Sequence, residues 1–299
     1  MASVNSAPVK TTDFTNVSVR EIDFVSRFST SFEALRELIG VSTLIKKPAG
    51  TNITVKTATV DSALETSVGE GQEIAYTNYN ITENVVGTLS IQKYKKGVTL
   101  EAIQKYGYET AVQKTDDQFI VDLQSKISTD LFTALNGFVA SSQTKGATWQ
   151  MAMAKAKAGV VEGFRTAHKS TSCAIAWCNV NDFYEYEGSA SITVQTAFGL
   201  QYVENFMGYD KVFLCASSEI AKNQVIATAI GNLDIYYVDA SQSDFARAGL
   251  VYRTDGEANL IGYHIEGNYG TAVSDAYAIM GISISPEFSN GVVGVTVGE

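Results

Sequence analysis

The sequence predicts an α+β protein built from more than one subdomain, and three observations carry that prediction. Residues 22–40, "IDFVSRFSTSFEALRELIG", set Val25, Phe28, Phe32, Leu35 and Ile39 at alternating steps of three and four, which is one face of a helix. From Thr99 a second helical pattern runs almost unbroken to Gly137. Beyond residue 145, β-prone runs alternate with helical ones. Between the two helices lies "ETSVGEGQEIAYTNYNITENVVG", residues 65–87, polar and without a single Lys or Arg.

The totals bound the possibilities. A chain of 299 residues buries a sizeable core, best divided between subdomains. Its net charge of −10 argues against a nucleic-acid binder that works through a basic surface. No apolar run approaches the ~20 residues of a membrane span, and the first thirty residues lack the pattern of a secretory signal. Three cysteines, Cys173, Cys178 and Cys215, are expected to be reduced and buried.

Taken in order, residues 1 to about 20 are polar and expected to be an extended N-terminal arm. The helix that follows ends at Gly40 and has two readings: packed on its own domain, or docked on a neighbouring subunit. "ITVKTATV" (53–60) and "VVGTLSIQKYKK" (85–96) are β-prone and read as the legs of a long ribbon. Its charges are sorted. Lys46, Lys47 and Lys56 flank one leg and Lys93, Lys95 and Lys96 the other, while Asp61, Glu65, Glu70, Glu73 and Glu83 occupy the tip. An isolated ribbon is marginal in water, and an irregular loop longer than about 12–15 residues is uncommon unless it has a job or is disordered. The alternatives are a loose surface loop and a ribbon ordered by lying across another molecule; the second is the expectation.

Thr99 can cap the long helix, and Asn136-Gly137 can stop it. Leu100, Ile103, Val112, Phe119, Leu123 and Ile127 lie on its apolar stripe, and Gly107 is where it would bend or restart. If continuous, it would be about 55 Å long at ~1.5 Å per residue. Further on, "TWQMAMAKAKAGVVEGFRTA" reads as a helix and "NDFYEYE" as a short helix or a turn. "CAIAWC", "DKVFLCAS", "NQVIATA", "LDIYYVDA", "GLVYR", "LIGYHIEG", "AYAIMGISI" and "VVGVTV" read as strands, the last two flanking an Asn290-Gly291 hairpin signal. The three prolines fall outside these elements.

Chemistry is hard to find. His168 and His264 have no Ser or Cys partner in a triad-like arrangement, and "VGEGQ" does not join a strand to a helix start as a phosphate cradle must. "TDGEAN" is better explained as a turn than as a cation loop, and Asp116-Asp117 point to different sides of a helix. The expectation is no enzyme, no catalytic residue, no cofactor and no metal.

The succession of arm, amphipathic helix, acidic-tipped ribbon, rod and mixed α/β region resembles the major capsid protein of tailed bacteriophages, whose fold is shared with encapsulins and the floor of herpesvirus capsids. "GEGQEIAYTNYNITENVVGTLSIQKYKKGVTLEAI" resembles the family's extended loop running into its spine helix, and "GYDKVFLCASSEIAKNQVIATAIGNLDIYYVDA" its axial domain. The resemblance implies an α+β capsid fold with an N-terminal arm and helix (1–48), an extended β-ribbon loop (49–98), a peripheral domain with the spine helix (99–175 and 262–299) and an axial α/β domain (176–261). It implies hexamers and pentamers of an icosahedral head enclosing double-stranded DNA without sequence-specific binding. The place of action would be the virion, after assembly in the host cytoplasm and away from membranes. Inter-subunit contacts are expected at Asp61, Glu65, Glu70, Glu73, Glu83, Lys93, Lys95 and Lys96.

Two departures from the family stand out. The chain reaches its arm at once, so a scaffolding segment is expected on a separate protein or not at all, with a portal and decoration proteins as further partners. No lysine lies between Lys56 and Lys93, which excludes a crosslink at the ribbon tip. The rival readings are an encapsulin-type cargo compartment and a β-rich adhesin or tail module.

Overall fold

The computed structural model describes residues 15–40, 43–60, 69–71, 73, 76–139, 144–171, 173–188, 194–197 and 199–298. The chain opens with helix α1 (Thr15–Leu38), so the expected arm is already helical from Thr15 and only residues 1–14 lie outside the described part. The stripe read from spacing is buried in full: Val25, Phe28, Phe32, Leu35 and Ile39 are covered, joined by Phe24. The cover comes from the same chain. Phe24 stacks on Tyr263 with ring centroids 3.9 Å apart, and the buried Glu21 accepts the Ile265 N–H at 2.8 Å. Of the two readings of this helix, the structure shows packing on its own domain.

Strand β1 (Leu44–Lys46) is followed by β2 (Asn52–Val60), β3 (Tyr79–Thr88) and β4 (Gln92–Thr99). β2 and β3 pair only with each other, antiparallel, with a bulge that leaves Val86 unmatched between Ile53 and Thr54. β4 leaves the ribbon altogether. The β-prone run 85–96 is therefore two strands, and the stem lysines Lys93, Lys95 and Lys96 sit on a different sheet from the one expected.

Helix α2 (Leu100–Tyr108) begins under the predicted cap, with the Ala102 N–H donating to Thr99 Oγ1 at 3.2 Å. Gly107 then takes φ 78°, ψ 160°, a conformation glycine tolerates and a helix does not, and one turn of π-helix (Glu109–Gln113) leads into α3 (Lys114–Phe138). The rod is thus broken at the residue that disturbed its pattern. Its far end runs through Gly137 to Phe138, one residue past the expected stop.

There follow β5 (Thr144–Gly146), α4 (Trp149–Thr166), β6 (Ala174–Asn179), α5 (Val180–Glu187), β7 (Gln195–Ala197), β8 (Leu200–Phe206), β9 (Tyr209–Cys215), β10 (Gln224–Ala229), β11 (Leu233–Tyr237), α6 (Ser243–Arg247), β12 (Ile261–Asn268), β13 (Val273–Met280), β14 (Ile282–Pro286) and β15 (Val293–Val297). A seven-stranded sheet in the order β5-β15-β10-β6-β9-β8-β7 forms the largest layer. β6 is buried on both sides, as an apolar run without alternation requires. Ile175 and Trp177 face the core shared with α1 and α3; Ala176 and Cys178 face the one covered by α4 and Phe183 of α5.

This sheet takes β5 from before residue 176 and β15 from after residue 262. Two smaller sheets, β1-β11-β14 and β12-β13-β4, complete the body. The Asn290-Gly291 signal marks a short 3₁₀ turn and not a hairpin, because β14 and β15 belong to different sheets. Pro286 ends β14 at a sheet edge, where a missing N–H is harmless. "GLVYR" contributes only an isolated bridge, Arg253 to Tyr263. Cys178 and Cys215 are buried and their thiols pushed up by desolvation, whereas Cys173 is exposed against expectation.

Candidate assembly surface

The β2–β3 ribbon is where sequence and geometry leave something unexplained. Directly opposite residues of an antiparallel pair share a face, so the register sorts the ribbon into two. One face carries Thr54/Val85, Lys56/Glu83, Ala58/Ile81 and Val60/Tyr79; the other carries Val55/Asn84, Thr82 and Asn80. Apart from Thr54 and one ion pair the first face is apolar, and it is bare: Val60, Tyr79, Ile81 and Val85 are 51–71% exposed. Tyr76, near the tip, is 89% exposed. At the base the ribbon is fixed to the body. Ile53 and Leu89 are buried, and the Gly50 N–H donates to Leu89 O while the Leu89 N–H donates to Thr51 O.

The expected contact residues fall into three groups. Asp61 and Glu65 lie outside the described residues. Glu70 and Glu73 are exposed at the tip, and Glu83 faces Lys56 across the ribbon at 3.9 Å. On β4, Lys93 is exposed, Lys95 pairs with Asp275 at 2.8 Å and Lys96 turns inward to Asp116 at 2.5 Å. Sorting by charge found the acidic tip but passed over the apolar face. The signal was in the sequence, since Tyr79, Ile81 and Val85 occur at even spacing in "YNITENV".

The inward turn of Lys96 belongs to a buried knot. Asp116 on α3 accepts from Arg20 of α1 at 2.5 and 2.7 Å, from Lys96 of β4, and from the Tyr263 hydroxyl of β12 at 3.3 Å. Burial would raise the Asp116 carboxyl, but the hydrogen bonds from Arg20 and Lys96 outweigh it and hold the group below its ordinary value. Lys96 is lowered by burial first, with Arg20 beside it, despite the opposing pull of Asp116. Four elements meet at this carboxylate, so it fixes α1 and the rod against the β12-β13-β4 sheet.

Beside the knot lies a groove of about 930 Å³ lined by Val19, Arg20, Phe24, Tyr108, Asp117 and Ile265. Its charged residues are matched to one another: Arg27 meets Asp117 at 2.6 Å and Asp23 at 3.1 Å. Among the described residues no group of three His, Cys, Asp or Glu could hold a metal ion, and no helix is long and apolar enough to cross a membrane.

No family model and no curated protein matches the sequence. Solved structures do match the fold. The capsid asymmetric unit of cyanophage A-1(L) is similar with a TM-score of 0.53 at 10% identity, over 88% of this chain and 92% of the other. This chain has the capsid fold. An encapsulin with the same fold, the holo-SrpI complex of Synechococcus elongatus PCC 7942, gives 0.51 at 13% identity over 87% and 86%. The mature capsid asymmetric unit of bacteriophage PhiM1 gives 0.50 at 8% over 87% and 86%.

Proposed function

We propose that this chain is the structural shell subunit of a phage head, assembling as hexamers and pentamers into an icosahedral capsid around double-stranded DNA. The observation that supports it most is the ribbon's apolar face, which Val60, Tyr79, Ile81 and Val85 leave open to solvent. A face that the described residues leave open in this way is one a second copy can cover. Laying this ribbon on a neighbour is a head-to-tail contact, the kind that closed rings require. Each contact is modest. Burying four half-exposed side chains contributes on the order of 1 kcal/mol each, and association opposes most of that gain. Many such contacts in one shell hold together while single misplaced subunits leave.

The acidic balance suits an inner wall over which DNA slides during packaging. Scaffolding, portal and decoration proteins, and assembly in the host cytoplasm, belong to this same reading. A second reading, an encapsulin-type compartment around a cargo enzyme, is favoured by the likeness to the SrpI encapsulin. Negative-stain microscopy of the protein, expressed alone and together with the genes that flank its own, tests both. Closed particles in either arm support a shell, and their contents, nuclease-protected DNA or a protein cargo, separate the two readings. Monomers in both arms overturn the proposal.

A further inference from the structure

We propose that Gly281 is a positioning residue for the assembly contact, which rests on the shell reading: its missing side chain sets the angle at which the ribbon leaves the body. Both legs of the ribbon root on one short segment, Tyr237 to Asp239, and on the residue that segment holds. On the first leg the Lys47 N–H donates to Tyr237 O at 2.9 Å, and Lys46 pairs with Asp239. On the second, Ser90 lies where the chain passes from β3 to β4, close against Gly281, the single residue between β13 and β14. The Val238 N–H closes the joint by donating to Gly281 O at 2.8 Å. Outward of Ile53 and Leu89 no described side chain of the ribbon is buried, so the described contacts that orient it lie at this root.

The joint has no room for a side chain. A Cβ on Gly281 would stand 2.8 Å from Val238 Cγ2, 3.0 Å from Ser90 O and 3.1 Å from Val238 Cβ, inside the 3.4–4 Å of ordinary van der Waals contact. The φ of Gly281 lies outside the left-handed region, so close approach and not backbone angle calls for glycine here. Of the atoms such a Cβ would press on, Ser90 O is backbone and belongs to the ribbon's own leg. Moving that carbonyl by ~0.4 Å, across the ~4.8 Å between paired strands, tilts the ribbon by about 5°. The nine residues of β2 reach roughly 30 Å at ~3.3 Å each, so the outer end swings by about 2–3 Å. A shift of that size takes Val60 and Tyr79 out of register with a close-packed partner surface.

A matched glycine separates positioning from packing. Gly262 on β12 is equally crowded, its Cβ falling 2.9 Å from Tyr252 Cβ, 3.0 Å from Ile279 Cγ1 and 3.1 Å from Ala240 Cβ, none of them in the ribbon. Gly281→Ala and Gly262→Ala should both lower the melting temperature of the unassembled chain. Only Gly281→Ala should shift, by about 2 Å, the distance between spin labels on the exposed Cys173 and on Tyr79→Cys at the ribbon's outer end. Without labels, it alone should lower particle yield about tenfold, the effect of ~1.4 kcal/mol per contact. If Gly281→Ala does not fold, adding Val238→Ala removes the nearest contact, and the double variant is read in its place. An unchanged label distance, a normal yield, or an equal loss of particles in Gly262→Ala overturns the positioning role and leaves the shell reading standing. A wild-type chain that forms no particles, alone or with its flanking genes, overturns both.

Discussion

Two antiparallel hairpins of similar length are handled in opposite ways by this molecule. β12–β13 turns Tyr263, Ile265, Ala276, Ala278 and Met280 inward and finds its cover in α1 of the same chain. β2–β3 carries an equally consistent face, Val60, Tyr79, Ile81 and Val85, and finds none among the described residues. Local alternation marks an apolar face in both. What differs is whether the described part of the chain supplies the cover, and strand sequence alone does not decide that. One hairpin belongs to the monomer's stability; on the proposed shell reading the other belongs to the assembly's.

A matched pair of tyrosines tests this division most severely. Tyr263 is fully buried under Phe24, whereas Tyr79 is 58% exposed. Tyr263→Ala should destabilise the monomer by about 3–5 kcal/mol, the cost of a large core cavity. Tyr79→Ala should shift monomer stability by less than about 0.5 kcal/mol yet reduce particle formation. Thermal melts of the monomer and sedimentation of the assembled fraction read the two effects separately. A Tyr79 variant that melts like the Tyr263 variant would place the ribbon in the monomer's core.

The next test concerns what anchors the covered hairpin. Asp116→Asn leaves Arg20 and Lys96 as buried cations without their carboxylate, at a cost of about 3 kcal/mol. Because folding lowers the Asp116 pKa, its contribution is fully present above the ordinary carboxylate value and is lost as pH falls through the lower folded one. The wild-type melting temperature should therefore fall more steeply below about pH 4 than the variant's. Equal slopes in the two proteins would remove the knot from the account.

Smaller in monomer terms, though not in assembly, is the acidic tip. Lysine at Glu65, Glu70 and Glu73 together should leave melting unchanged and impair particles at ordinary salt, with partial recovery as salt screens the reversed charges. Normal particles from this triple variant would take charge out of the ribbon's role and leave its apolar face.

Much of this was legible because it is local. The α1 stripe, the Thr99 cap, the break at Gly107 and the twice-buried β6 follow from spacing and from single residues. What failed was pairing. Nothing between Gly87 and Lys93 announces that one β-prone run is two strands, because β4 is defined by its partner β13 far along the chain. Asn290-Gly291 has hairpin chemistry, but its flanking strands find better partners in separate sheets. Lys96 looked like a stem charge because charge was counted without period; with Tyr94 and Val98 it lies on the inward side of β4. The ribbon's apolar face is written at even spacing in residues 79–85, between polar neighbours that hide it from composition alone.

The finest test asks whether the ribbon holds its own register. Lys56 and Glu83 are the one charged cross-strand pair on its apolar face, 3.9 Å apart and both more than half exposed. Such a pair contributes about 0.2–1 kcal/mol, and less at high salt. Lys56→Ala should therefore be nearly silent in monomer melting. In the assembled state the same substitution leaves Glu83 without its cation on a face that a second copy covers, and an unpaired charge there is far costlier than one in water. Particles of this variant should fall apart at lower denaturant concentration than wild type. Identical disassembly midpoints would mean that Glu83 stays in water in the shell, and the covered strip would then end short of it, at Ile81.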